Sequence, residues 1–180
     1  HTLRVIIGHL PRDGTAVTAS TGCAAAIIGA TTLHAFAALG LGELNADVYI
    51  KRIRESHSWA RDRIRATQRL VIDEVGMLDG ALFGKAARVV GEVRRNYTND
   101  LCANAVATLP FGDVQLICCG DFCQLPPVQV EKGGWVFESR AWKNLDFEVC
   151  ELNTVHRQQA DGTFAEALSR VRLGVATEDD

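Results

Sequence analysis

The chain has 180 residues, 47% hydrophobic and 23% charged, with a formal net charge of −3. That is ordinary globular composition with enough apolar material for one core, and it excludes a low-complexity chain. No overall basicity marks a nucleic-acid binder, but a local basic groove remains compatible with the total, because binding depends on where charge sits.

Leu3, Val5, Ile6, Ile7 and Leu10 predict a short helix stopped by Pro11. Asp13-Gly14 is a turn signal, and Thr15–Ala19 reads as a short strand. Ser20, Thr21 and Gly22 mark the entry to a helix filled by Cys23–Ile28 and ended by Gly29. Thr31 or Thr32 caps a further helix carrying Leu33, His34 and Phe36. From Leu44 to Arg69 the chain is charged, a solvated helix face or a nucleic-acid-facing surface.

Leu70-Val71-Ile72 is the apolar run of a strand buried on both faces. Asp79-Gly80 precedes a helix rich in Ala, Leu and Val, and Asn96–Leu109 reads as an exposed loop. Val114–Cys119 repeats the buried-strand pattern, and Phe147–Leu152 is another strand candidate. Thr163 and Glu166 have capping-box spacing, Phe164, Leu168 and Val171 share a helical face, and Gly174 ends that helix. Strands alternating with helices imply an α/β layer structure with a mainly parallel sheet, whose ligands lie beyond the carboxyl ends of the strands.

The cysteines are Cys23, Cys102, Cys118, Cys119, Cys123 and Cys150. None forms a C-x-x-C pair, so they read as small buried hydrophobes in a reducing compartment rather than a metal site or disulfide framework. No apolar run is long enough to cross a membrane, and no signal peptide is visible.

Four constellations carry chemistry. The first is Leu70-Val71-Ile72-Asp73-Glu74, an apolar strand ending in two carboxylates, the Walker B pattern. Nucleotide hydrolysis needs one carboxylate for the magnesium shell and another to activate water, so Asp73 is expected to serve the metal and Glu74 to act as general base. The second is Gly120-Asp121-Phe122-Cys123-Gln124-Leu125-Pro126-Pro127-Val128. The neutral Gln124 amide suits a γ-phosphate or an attacking water, and the prolines fix the exit path. The third is Thr18-Ala19-Ser20-Thr21-Gly22 with Thr31–Phe36. Its hydroxyls and N–H groups suit phosphates, and His34 and Phe36 suit unstacked bases, with helix capping and core packing as the bland alternative. The fourth is Val155-His156-Arg157-Gln158, where Arg157 at a domain edge suits transition-state charge.

These stretches, TASTGCAAAIIGATTLHAFAALGLG, RLVIDEVGML, PFGDVQLICCGDFCQLPPV and LNTVHRQ, with WVFESRAW before the last, resemble the Pif (petite integration frequency) family of superfamily 1 DNA helicases. The resemblance implies a RecA-like P-loop NTPase motor domain, dependence on ATP and Mg2+, and 5′→3′ travel on single-stranded DNA. Duplex or structured DNA is the other implied partner. It implies genome maintenance in the nucleus or mitochondrion: telomere maintenance, DNA repair and recombination. By this resemblance Asp73 and Glu74 are the Walker B pair, Gln124 senses the γ-phosphate and Arg157 couples the domains. Thr18, Ser20, Thr21, Gly22, His34 and Phe36 fall in stretches that face DNA.

No G-x-x-x-x-G-K-[ST] occurs in the chain, so the phosphate loop and first strand of such a motor are expected immediately before His1. Residues 1–157 are expected to form a partial first motor domain, and 158–180 a connecting helix at the start of the second. The fragment alone is expected to be monomeric and to have negligible ATPase activity. The competing readings are a catalytically inactive DNA-binding module and an NTPase that remodels proteins.

Overall fold

The computed structural model describes residues 2–95, 109–128, 130–153 and 162–176. A parallel sheet runs in the order β2-β1-β3-β4, with β1 at Thr15–Ala19, β2 at Thr31–Thr32, β3 at Arg69–Asp73 and β4 at Gln115–Cys118. β1 pairs with β3 from Thr15↔Arg69 to Ala19↔Asp73, and β3 with β4 from Arg69↔Gln115 to Ile72↔Cys118. β2 joins the other edge through Thr18↔Thr31 and Ala19↔Thr32. All these strands therefore finish on one edge, and that edge carries the polar motifs.

β3 is central, and Leu70, Val71 and Ile72 are fully buried, as an apolar run between two partners should be. β4 is an edge strand among the described residues. Its Leu116, Ile117 and Cys118 are only partly buried, where full burial was expected, because β3 is its only partner there.

Helices α1 (Thr2–His9), α2 (Gly22–Ile28) and α3 (Leu33–Phe36) follow the expected boundaries closely. Thr21 caps α2 by accepting from the Ala24 N–H, and Gly29 closes it in the left-handed region at φ 67°. Thr32, of the two candidates, caps α3 through the Ala35 N–H. The charged segment folds into α4 (Ala46–Glu55) and α5 (Ser58–Ala66). Tyr49, Ile50, Ile53, Ala60 and Ile64 face the core. Two of the segment's outward arginines sit in ion pairs, Arg54 with Glu92 and Arg61 with Asp62, and its Asp47 pairs with Arg88. Much of this segment is thus an ordinary solvated face.

The long helix α6 (Gly80–Arg95) packs Phe83, Ala86, Val89, Val90 and Val93 into the same core. The Phe83 ring meets Phe111 edge-on at 5.3 Å. Arg94 fastens three elements. It donates to the Gly112 carbonyl at 2.7 Å and the Ile64 carbonyl at 3.1 Å, and also to the Thr67 carbonyl. Short helices α7 (Val130–Gly133) and α8 (Arg140–Lys143) follow, and α9 (Gly162–Arg172) is closed two residues later by Gly174, which has φ 70°.

Two expectations fail here. Phe147–Leu152 makes no ladder among the described residues. Phe147 rests on Trp142, ring centroids 4.5 Å apart, while Val149 and Leu152 are exposed, so the segment joins no sheet edge among the described residues. The cysteines are not uniformly buried either. Cys23, on the outward face of α2, is exposed, as are Cys123 and Cys150 outside the sheet, while Cys118 and Cys119 at the edge strand are intermediate, all as free thiols. Cys102 and most of Asn96–Leu109 lie outside the described residues. No described helix is long and apolar enough to cross a membrane.

Candidate nucleotide site and strand-facing edge

Asp73 closes β3, and its Oδ1 accepts the Glu74 backbone N–H at 3.0 Å. Glu74 sits in the left-handed region at φ 53° and ψ 43°, a conformation disfavoured for a side chain with a Cβ and typical of strained functional turns. The chain therefore turns sharply between the two carboxylates and separates their directions. Ser20, at the exit of the neighbouring β1, donates its N–H to the Asp73 carbonyl at 3.0 Å. Its Oγ is buried without a partner among the described residues, a polar atom left over beside the acidic strand end.

The turn after β4 is locked against the turn after β3. The Val75 N–H donates to the Cys119 carbonyl and the Cys119 N–H to the Ile72 carbonyl, both at 2.9 Å. A Cβ on Gly120 would lie 3.0 Å from the Gly76 and Val75 nitrogens, and a Cβ on Gly76 would lie 2.9 Å from the Asp121 carbonyl oxygen. Backbone meets backbone here, so both positions require glycine. Burial, then Asp73 and Glu74, push the Cys119 thiol up, which places it beside both carboxylates and keeps it protonated. Burial and then Cys119 push Cys118 up to about 12.

Gln124 is exposed, and its Nε2 donates to Asp121 Oδ2 at 2.9 Å. Asp121 also accepts from the Cys123 N–H and from Arg172 of α9, each at 3.0 Å. Asp121 and Arg172 were not singled out from sequence. The only signal was the acid within the Gly120–Gln124 turn, whose partner lies 51 positions away. Arg157 lies outside the described residues.

The residues expected to face DNA divide. Gly22 is exposed with open space around its Cα, and Thr21 spends its hydroxyl on the α2 cap. Thr18 is fully buried and its Oγ1 donates to the Val71 carbonyl at 2.7 Å, so it ties β1 to β3 and cannot reach a strand of DNA. Phe36 is also core, 1% exposed with the Arg63 guanidinium 5.5 Å from its ring centroid, and it offers no face to a base. The one-turn helix α3 turns Phe36 inward and leaves its neighbour His34 partly buried at the surface. Burial chiefly, with Lys85 adding and Asp79 opposing, lowers the His34 pKa, so a neutral ring faces outward near neutral pH.

No cluster of three or more metal-ligating side chains occurs among the described residues. A magnesium held mainly by substrate phosphates needs only one or two protein carboxylates, and Asp73, with the Ser20 hydroxyl beside the strand end, fits that donor set.

The model of the family described as PIF1-like helicase matches residues 2–180. The chain is 41% identical over 175 residues to the ATP-dependent DNA helicase PIF1 of Saccharomyces cerevisiae (strain YJM789), covering 96% of this chain and 19% of that protein. Among solved structures it resembles Pif1 helicase from Candida albicans, with TM-score 0.85 and 41% identity over 98% of this chain and 38% of that one. The fold is shared with Pif1 helicase from Bacteroides in complex with ADP-AlF3 and ssDNA, with TM-score 0.73 and 23% identity over 98% of this chain and 40% of that one. The chain thus spans about a fifth of the yeast relative's length. Its α/β architecture, its parallel sheet and this match over nearly every residue agree: the chain belongs to the PIF1-like helicase family.

Proposed function

We propose that this chain is the hydrolytic face of an ATP-dependent 5′→3′ DNA helicase working in genome maintenance, including telomere maintenance, DNA repair and recombination. The observation that carries this reading is the Asp73–Glu74 pair at the carboxyl edge of the sheet, locked through Gly76 and Gly120 to the turn bearing Gln124. Residues 1–157 belong in this reading to the first motor domain, and 158–180 begin the link to the second.

Asp73 and the Ser20 hydroxyl would hold the magnesium of bound ATP. Magnesium, when bound, neutralises charge on the phosphates. Glu74 Oε accepts a proton from the attacking water. Gln124 leaves Asp121 and turns its amide to the γ-phosphate, so that the state of the nucleotide is felt at Asp121 and α9. Arg157 is assigned to the charge that develops during transfer. Thr21, Gly22 and His34 line the edge along which single-stranded DNA runs, with Ser20 beside the phosphates. The Bacteroides relative, solved with ADP-AlF3 and ssDNA, supports both partners.

The test is steady-state phosphate release by the full-length protein with and without single-stranded DNA. Glu74→Gln is expected to retain nucleotide binding and lose about 100-fold or more of hydrolysis. Wild-type rates in that variant would remove Glu74 from the mechanism. DNA binding without hydrolysis in the wild-type protein would favour an inactive DNA-binding module.

A further inference from the structure

Beside α3 lies a groove of about 730 Å3, within the roughly 300–1,000 Å3 range of small-molecule sites, which shares Thr32, His34 and Ala35 with the strand-facing edge and is otherwise unused by the motifs above. Its walls are α3, the loop from Ala38 to Leu44, and the facing parts of α4 and α5. We propose that this groove is a nucleobase-binding subsite for single-stranded DNA, with Trp59 as its stacking platform. The proposal rests on the helicase reading and extends the strand track beyond it.

Trp59 is 56% exposed on the first turn of α5, an unusual place for an indole with no cover. It is nevertheless held in position. The Arg63 guanidinium lies 4.9 Å from its ring centroid and 5.5 Å from that of Phe36. Arg63 is itself fixed, donating to the Ala35 and Phe36 carbonyls at 2.8 and 2.6 Å. The His57 ring lies 5.8 Å from Trp59 at a tilt of 32°. A rigidly backed, exposed aromatic ring is what an unstacked base needs, and a base inside a duplex cannot use it.

The charge of the groove points the same way. Among the described residues, Arg52, Arg63, His34 and His57 line it against a single carboxylate, Glu43. Arg54, Arg61 and Arg88, outside the groove, are ion-paired, while the Arg52 side chain has no ion pair among the described residues. Among the described residues, His57 Nδ1 and Arg63 Nε are buried with no hydrogen-bond partner, polar atoms that a base edge or phosphate would satisfy. The groove also begins at Thr32, His34 and Ala35, directly after β2, and so continues from the edge bearing Ser20 and Asp73.

The test uses the full-length protein with two probes, an oligothymidine and an abasic strand of the same length. Trp59→Leu is expected to weaken oligothymidine binding about ten-fold and leave the abasic strand unaffected, while Trp59→Phe keeps most of the affinity. Oligothymidine should quench tryptophan emission in the wild-type protein, and much less in Trp59→Phe, where Trp135 and Trp142 remain. Arg52→Gln should weaken both probes and reduce the salt dependence by about one counterion, and Arg61→Gln should change neither. Undiminished oligothymidine binding by Trp59→Leu would overturn the subsite and leave the helicase reading standing, because strand binding persists. An equal loss on both probes would also overturn it and make Trp59 a structural residue. Failure of the wild-type protein to bind either strand would sink the helicase reading first, and the subsite with it. Should Trp59→Leu not fold, the emission of Trp59→Phe decides: quenching as strong as wild type overturns the proposal.

Discussion

Arg172 of α9 donates to Asp121 at 3.0 Å, which fastens a helix late in the chain to the turn that carries Gln124. Burial by itself would raise the Asp121 carboxyl. The Cys123 N–H, the Gln124 amide and the Arg172 guanidinium outweigh it and hold the group below the ordinary carboxylate value. A carboxyl so depressed keeps its tie fully above the ordinary value and loses it as pH falls through the lowered one.

The Arg172 side chain is 55% exposed, so solvent screens the pair and its worth is at most about 1 kcal/mol. Arg172→Ala is expected to speed amide exchange across α9 by up to about five-fold and leave β3 protection unchanged. Exchange in α9 identical to wild type would show that Asp121 does not hold the helix.

Gly120→Ala must force a Cβ into the Gly76 and Val75 nitrogens at 3.0 Å. Overpacking of this kind costs about 1–3 kcal/mol, and the displaced turn should carry Gln124 out of register and lower phosphate release. Gly84→Ala is the counterpart, because nothing lies within 4 Å of its Cβ on α6. It should stabilise by about 0.5–1 kcal/mol through helix propensity. Urea melts of both variants check the pair, and equal stabilities would contradict the close-approach argument.

His34 has a lowered folded-state pKa, caused first by burial. The unfolded chain therefore binds the proton more readily, and this residue's contribution favours folding above its ordinary value and is lost as pH drops below it. His34→Asn should flatten the decline in stability between about pH 7 and pH 5. An unchanged slope would place the titration elsewhere.

Arg94→Met strips its donor from the Gly112, Ile64 and Thr67 carbonyls together. Leaving those acceptors unpaired should cost about 2–3 kcal/mol, with lost packing between α5, α6 and the turn before β4. Denaturant unfolding measures it, and a loss under half a kilocalorie per mole would mean that water replaces the guanidinium at about equal free energy.

The sheet was readable because buried parallel strands announce themselves by local composition. Leu70-Val71-Ile72 could hardly be anything else, and the carboxylates after it fall where the register puts them. What was not readable depends on neighbours distant in sequence. Phe147–Leu152 reads as a strand candidate, but pairing is a property of two segments, and none stands beside it among the described residues. Thr18 carries a hydroxyl that suits a phosphate, yet Val71, 53 positions away, takes its hydrogen bond. Phe36 and Trp59 show the same lesson together. Composition does not say which aromatic turns inward, and Arg63, between them, holds one in the core side of the contact and leaves the other outside. The orphaned Ser20 hydroxyl could not be foreseen at all, since an unmet hydrogen bond is visible only once every neighbour has its place.

At the contact between Gly76 and Gly120 backbone lies against backbone, with the Val75 and Phe122 side chains only at its border. A spacer such as leucine would absorb small motions by changing rotamer. Here the peptide planes bear directly on one another, so the acidic strand end and the neighbouring turn shift together.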